Sequence, residues 1–377
     1  MIDVIALRRD LHAHPELAYA EHRTTAAIMT ALRTMGLQPQ VMATGTGVVC
    51  DLGPGEHPLI ALRADIDGLP IRDEKDVPYR STVDGMCHGC GHDAHVAILL
   101  AAAEQLAQSP LAGRIRLVFQ PAEETVPGGA YGVVESGVVD GIGQIFALHC
   151  DPRLPTGEIG LRVGAITAAC DRVDVTFSGP GGHTSRPQLT ADLVYALGLV
   201  ITELPGLLSR RVDPRSGMSL VWGSADAGRA ANAIPTTGTL RGTVRVLDRD
   251  TSAKAEGLVS ELIAQIVAPT GVRVEIDYQR GVPPVVNDAT AVALQRAAVA
   301  ATLGPDAAVD TEQSMGGEDF GWYLNRVSGA LARLGVRPVG GPGFDLHQGT
   351  FDIDESALEL GVRYTVALAH EALAAAR

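Results

Sequence analysis

The run Met86-Cys87-His88-Gly89-Cys90-Gly91-His92-Asp93-Ala94-His95-Val96 puts the thiol of Cys90 and the imidazole of His92 two residues apart in a glycine-bracketed turn. Such a turn is compact enough to aim both donors at one ion. Cys87-His88-Gly89-Cys90 also reads as C-x-x-C, the spacing of half a zinc knuckle or of a redox pair. No second such pair exists, since Cys50, Cys150 and Cys170 are isolated, and Gly91 stands where a haem-attachment pattern needs histidine. A buried thiol among polar loop residues is the plain alternative for a lone cysteine; the density of Cys and His here weighs against it.

Further candidates are Glu123, Glu124, His149 and His347. Thiolate, imidazole and carboxylate donors together suit Zn, Mn, Ni or Co better than Mg or Ca. With Cys90 and His92 these residues exceed what one open catalytic ion takes, and two ions about 3.5–4 Å apart account for them. A centre that turns water into a nucleophile also needs a base that is not itself a ligand. The adjacent carboxylates of Glu123 and Glu124 offer one group for each job, although a Glu-Glu pair alone is ordinary surface charge.

The elements that must position these residues follow from hydrophobic patterning. Helical periodicity over residues 3–35 breaks at His12-Ala13-His14-Pro15, because proline disfavours helix at the residue before it. His12 and His14 can ligate a metal, but a hydrogen-bonded pair is the expected reading. Apolar runs at 47–52, 58–64, 114–119 and 143–148 read as buried strands. Asp65 and Asp67, Glu123 and Glu124, and His149 each lie just past the end of one of them, and Asp93 suits the cap of a helix through Gln105. In an open parallel sheet, carboxyl ends of strands converge on one crevice. From about 170 the pattern becomes β-α-β-β-α-β, the split order of a ferredoxin-like unit, with Pro205 expected to end or kink its first helix. The expected fold class is α/β: a mostly parallel-sheet catalytic domain over 1–169 and 284–377, with an inserted α+β domain over 170–283.

Bulk properties narrow the function. With 377 residues, about two domains are expected. Residues are 46% hydrophobic and 20% charged, an ordinary globular balance. The net charge of −14 argues against nucleic acid or an anionic membrane as partner. Five cysteines without a framework favour a reducing compartment. No basic-then-apolar leader pattern opens the sequence, so cytoplasmic is the expected location.

Several motifs, in order, resemble the M20 metallopeptidase/amidohydrolase superfamily, in its branch of N-acyl amino acid, hippurate and auxin-conjugate amidohydrolases. They include Leu11-His12-Ala13-His14-Pro15-Glu16-Leu17, Arg63-Ala64-Asp65-Ile66-Asp67-Gly68-Leu69-Pro70, His88-Gly89-Cys90-Gly91-His92-Asp93, Gln120-Pro121-Ala122-Glu123-Glu124, Gly181-Gly182-His183, Asn232-Ala233-Ile234-Pro235 and Gly316-Gly317-Glu318-Asp319-Phe320. The resemblance implies two divalent ions held by Cys90, His92, Glu124, His149 and His347, with Cys90 sulfur bridging, and Glu123 as general base and acid. It implies that His183, aided by Asn232, reaches the active site of a partner subunit and holds the oxyanion or the substrate carboxylate. The inserted domain then acts as dimerisation or lid domain of a homodimer or higher homo-oligomer.

Asp65 and Asp67 are candidates for orienting ligand imidazoles, or simple turn caps. Arg241 and Arg245 share a strand face where one can clamp a carboxylate; exposed strand arginines are commoner. Glu318 and Asp319 have no derivable role. Two departures stand out: Cys87 where relatives commonly carry Met, and Gln188 in place of a frequent His. The expected activity is hydrolysis of the amide bond of N-acyl amino acids, small-molecule substrates. A dipeptidase or aminopeptidase on the same centre is the alternative, and a non-catalytic metal-binding protein a remoter one.

Overall fold

The computed structural model describes residues 1–376, which form two compact units. The first comprises 1–166, 287–312 and, among the described residues, 319–376; the second comprises 167–286 and 313–318. The short segment Gln313–Glu318, expected with the catalytic domain, belongs to the second unit, where Ala168 N–H donates to the carbonyls of Ser314 and Gly316.

The first unit is built on an eight-stranded mixed sheet. Its strand order is Gln40–Val41, Val48–Leu52, Arg114–Gln120, Pro58–Asp65, Gln144–Pro155, Ser328–Arg337, Ile159–Leu161 and Ala308–Asp310. The four central strands run parallel to one another. Pro58–Asp65 is buried at every position but one, as a strand covered on both faces must be. From it the chain crosses to one side, Arg114–Gln120, and then back over to the other, Gln144–Pro155. That reversal is a topological switch point, where side chains at the carboxyl ends share a crevice. The strand expected to stop at His149 continues to Pro155, since its pairing with Ser328–Arg337 persists past that residue. His149 still stands two residues past the last pair with its other neighbour, Arg63 and Ala147.

Helix His92–Ala107 covers the sheet and is buried along nearly its whole length. Its cap is Gly91, at φ 89°, where an added Cβ would lie 3.0 Å from Cys150 Sγ. Glycine thus meets both the left-handed backbone and the lack of space. Asp93, the expected cap, sits in the first turn, and its carboxylate accepts from Arg8 Nε and lies by His12 Nδ1, both at 2.7 Å. His12 Nε2 is 3.1 Å from Asp73, so His12 is a core residue of this network; the half-exposed His14 bonds the Asp10 carbonyl.

In the second unit the antiparallel sheet runs Ser219–Ala227, Thr237–Val246, Ala169–Ser178, Arg273–Val282, the 4-1-3-2 order of the split motif read from its far edge. Every second residue of Ala169–Ser178 is buried, which points one face toward helices Leu193–Arg211 and Arg249–Val267. Among the described residues Leu193–Arg211 is the helix long and apolar enough, by length and composition, to cross a membrane; its Leu193, Val200, Leu204 and Leu208 are buried in the unit's core. Pro205 neither ends nor interrupts this helix. It occupies the exposed side between Leu204 and Leu208, whose burial holds both flanking turns.

Replacing Arg8 by Leu leaves a buried Asp93 without its guanidinium, and urea unfolding of the first unit should lose about 3–5 kcal/mol. Replacing Pro205 by Ala should raise the thermal midpoint of the second unit by removing a residue that costs a helix interior up to about 3 kcal/mol.

Candidate metal centre

Cys90 and His92 flank the left-handed Gly91 at the start of the covering helix, at the switch point of the sheet. Cys90 Sγ lies 3.5 Å from His149 Nε2. The donor atoms of Cys90, His92 and His149 all fall within 4.8 Å of one another, and so do those of Cys90, Glu124 and His347. These two triads share one sulfur. His92, Glu123 and Glu124 form a further group of the same size, with His92 Nε2 at 4.0 Å from Glu123 Oε2 and 3.9 Å from Glu124 Oε1. His347 Nε2 is 3.2 Å from Glu124 Oε1.

The imidazoles are oriented from behind. His92 Nδ1 meets the Asp67 carbonyl at 2.9 Å and His149 Nδ1 meets the Cys150 carbonyl at 2.7 Å. A carbonyl only accepts, so each Nδ1 carries a proton, and Nε2 is the nitrogen left to meet a second proton or a metal ion. His92 Nε2 is buried and without a hydrogen-bond partner, a costly state for an atom that nothing binds.

Asp67 does more than orient an imidazole. Its Oδ1 accepts from the Glu123 N–H at 3.1 Å and its Oδ2 from the Glu124 N–H at 3.0 Å. Asp65 contacts His95 Nδ1 at 2.5 Å and accepts from Arg63 at 2.7 Å, while His92 Nε2 stays 3.7 Å away. His95, absent from the candidates read in the sequence, in turn accepts from the Cys150 N–H through Nε2 at 2.8 Å. Its place three residues after His92, on one helix face, was the available signal.

The electrostatics favour a cation. Burial alone lowers the pKa of His92, but Asp65, Asp67 and Glu124 outweigh it and push it up to about 10. Burial, Glu124 and Glu123 hold the Cys90 thiol well above its ordinary value. Burial, with His95 beside it, pushes His149 down to about 3, leaving a neutral imidazole. A field that draws a proton onto His92 draws a metal ion to the same lone pair, and a divalent cation is what lets a thiol ionise among carboxylates. The residues present therefore fit a metal group of mixed S, N and O donors.

Cys87 is buried, its backbone paired with Leu69 and its thiol pushed up to about 11 by burial. Asp319 accepts from Arg63, Gln120 and the Ala130 N–H, a structural tie beneath Asp65; Glu318 is buried in the second unit. In that unit His183 pairs with Ala233, and the Thr184 N–H donates to the Asn232 carbonyl at 3.3 Å, so His183 and Asn232 are neighbours. Arg245 donates to the Met315 carbonyl at 2.7 Å, and the exposed Arg241 lies 3.9 Å from Asp174.

The sequence profile of Peptidase family M20/M25/M40 matches residues 61–371. A Rhodococcus jostii (strain RHA1) protein named as a glutamate--cysteine ligase 2-3 is 48% identical over 365 residues; the match covers 97% of this chain and 46% of that protein, so this chain spans about half its length. An N-acetyl-L-cysteine deacetylase of Bacillus subtilis (strain 168) is 38% identical over 359 residues, 94% of this chain and 84% of that one. In structure, the Bacillus subtilis YXEP protein, described as a dinuclear metal binding peptidase from the M20 family, superposes with a TM-score of 0.87 at 33% identity over 98% of this chain and 97% of that one. This chain belongs to peptidase family M20/M25/M40 and is a hydrolase of its metal-dependent, amide-cleaving kind.

Proposed function

We propose that the chain hydrolyses the amide bond of N-acyl amino acids, with two divalent ions held by Cys90, His92, Glu124, His149 and His347. The observation that carries this reading is the pair of donor triads meeting at Cys90 Sγ, with the Glu123 carboxylate beside them. Zn, Mn, Ni and Co all suit such donors. Bound there, divalent ions polarise the acyl carbonyl and lower the pKa of the attacking water.

Glu123 takes the proton from that water as its oxygen bonds to the acyl carbon, and delivers it to the amide nitrogen as the C–N bond breaks. The products are a carboxylate and a free amino acid. Asp67 serves this step by holding the Glu123 and Glu124 peptides in register. His183 Nδ1 accepts from the Ser185 N–H at 3.1 Å, which turns Nε2 outward as a donor for an oxyanion or a substrate carboxylate. In this reading Asn232 assists it, and both act from the second copy in a homodimer.

The name of the Bacillus relative makes N-acetylcysteine a first substrate to try. A panel of N-acetyl, N-benzoyl and indole-acetyl amino acids, against dipeptides with a free α-amino group, separates acyl-amino-acid hydrolysis from peptidase action. Turnover confined to the free-amine substrates overturns the proposal. Glu123→Gln should retain its full metal content, measured by elemental analysis, while kcat falls by roughly 10²–10⁴-fold; activity within tenfold of wild type contradicts the assigned role. Chelation should silence the enzyme without unfolding it, because none of the five donors belongs to the apolar core cluster of the first unit. Far-UV circular dichroism should hold steady while activity disappears, and Mn, Zn or Co should restore it; a structural zinc site would instead unfold.

A further inference from the structure

Three consecutive backbone N–H groups, those of Ala122, Glu123 and Glu124, end in buried carboxylates. Asp67 takes the second and third, and Glu21 takes the first: its Oε1 accepts from Ala122 N–H at 2.8 Å. Glu21 is fully buried, and its Oε2 accepts from Thr46 Oγ1 at 2.7 Å, so both oxygens are engaged. Between them the two carboxylates grip the turn that carries the Glu123 and Glu124 side chains out of strand Arg114–Gln120.

Ala122 stands at φ 59°, a left-handed conformation that any residue with a Cβ resists. Such a residue persists only where its surroundings over-determine it. Here the Ala122 carbonyl accepts from the Gly129 N–H at 2.8 Å and from Thr125 Oγ1 at 3.2 Å, while Glu21 holds the amide side. A Cβ at Gly129 would lie 1.9 Å from the Pro121 carbonyl oxygen, so the turn is also closed by packing and cannot relax sideways. Of these restraints, the Glu21 bond is the one made by a charged side chain from a distant part of the chain, 101 residues away. A bond to a charged acceptor is stronger than one to a neutral acceptor.

We propose that Glu21 is a positioning residue for Glu123. By holding Ala122 left-handed, it sets the direction in which the Glu123 carboxylate leaves the strand end, and so where the proton carrier stands. Glu21 touches no substrate and acts only through the peptide of Ala122. This inference rests on the reading of Glu123 as proton carrier.

The test compares full-length, metal-loaded wild type with Glu21→Ala, Glu21→Asp and Glu21→Gln. Glutamine keeps an oxygen for the Ala122 N–H and offers an amide to Thr46 Oγ1, whereas Asp is one methylene too short to reach both. The measurements are saturation kinetics on an N-acyl amino acid, metal content, and hydrogen exchange at residues 122–124. Glu21→Ala and Glu21→Asp should lose on the order of 100-fold in kcat, the effect of displacing a reacting group by about 1 Å. KM should stay within about twofold, metal content should be unchanged, and the three amides should exchange faster. Glu21→Gln should recover most of the turnover and of the protection. The inference is overturned if kcat holds within about threefold while those amides exchange faster. It is equally overturned if kcat, metal content and unfolding midpoint fall together in all three variants, which marks a purely structural residue. Should wild type hydrolyse no acyl amino acid, the proposed substrate fails on its own. Exchange at 122–124 then still decides whether Glu21 holds the turn: protection lost with Ala and kept with Gln supports it, and unchanged protection refutes it.

Discussion

Asp67 is the residue on which the candidate centre turns. Its carbonyl receives the Nδ1 proton of His92, and its two carboxylate oxygens receive the peptide N–H groups of Glu123 and Glu124. One side chain and its own backbone therefore register two strand ends and a helix start against each other. The carboxylate can do this because it is buried, at 1% exposure, where charge-assisted hydrogen bonds are not diluted by water. It also adds negative charge at a place already crowded with Asp65, Glu123, Glu124 and Cys90. Left alone, such a cluster resolves its repulsion by keeping protons, as the raised values of His92 and Cys90 display. A cation resolves it without them. The scaffold that fixes the geometry and the charge that calls for a metal are thus one arrangement.

A second layer of charge stabilises the first. Arg63 spans Asp65, Gln120 and Asp319 beneath the crevice, and Arg8 ties Asp93 to Asp352. Both arginines are buried and every carboxylate they meet is engaged elsewhere too, as buried ions must be. Arg8 acts on the first turn of the helix whose preceding residues are Cys90 and Gly91, so the start of that helix is secured by an ion pair in place of a side-chain cap. The second unit keeps a separate apolar core under its own sheet.

Much of this was legible in the order of residues. Apolar runs located the central strands to within a residue at most of their ends, and the acids and histidines placed just after them named the crevice. What escaped has a common cause: partners far apart in the chain. Asp93 looked like a cap because its local context suits one, yet its carboxylate is committed to Arg8, 85 residues away. His149 looked like a strand end because its run of apolar residues stops, yet pairing with Ser328–Arg337 carries the strand on. Pro205 looked like a helix end because its ring removes a hydrogen bond, yet the apolar residues on either side bury enough surface to keep the helix whole. Glu21 carried no local signal at all, since the N–H it holds belongs to a different strand end. Local spacing reports periodicity and turn chemistry; it does not report which distant group claims a side chain.

The distribution of backbone strain fits the same picture. Among the described residues, the non-glycine positions with positive φ are Tyr19, Ala122 and His347. A left-handed residue costs about 1–3 kcal/mol, which a fold tolerates where something else requires it. His347 cannot be relieved by glycine, because the imidazole is the group that meets Glu124; its N–H donates to the Gly89 carbonyl at 2.8 Å, binding its loop to the turn of Cys90. Ala122 could be glycine on steric grounds alone. A glycine there would remove the strain and with it much of the resistance to other conformations, because an unsubstituted residue samples both signs of φ. Alanine confines the peptide to fewer states, and the hydrogen bonds to Glu21 and Gly129 select one of them. The strain at this turn is thus the counterpart of its definition: the backbone that carries Glu123 and Glu124 out of the strand is costly and single-valued where a glycine would leave it relaxed and many-valued.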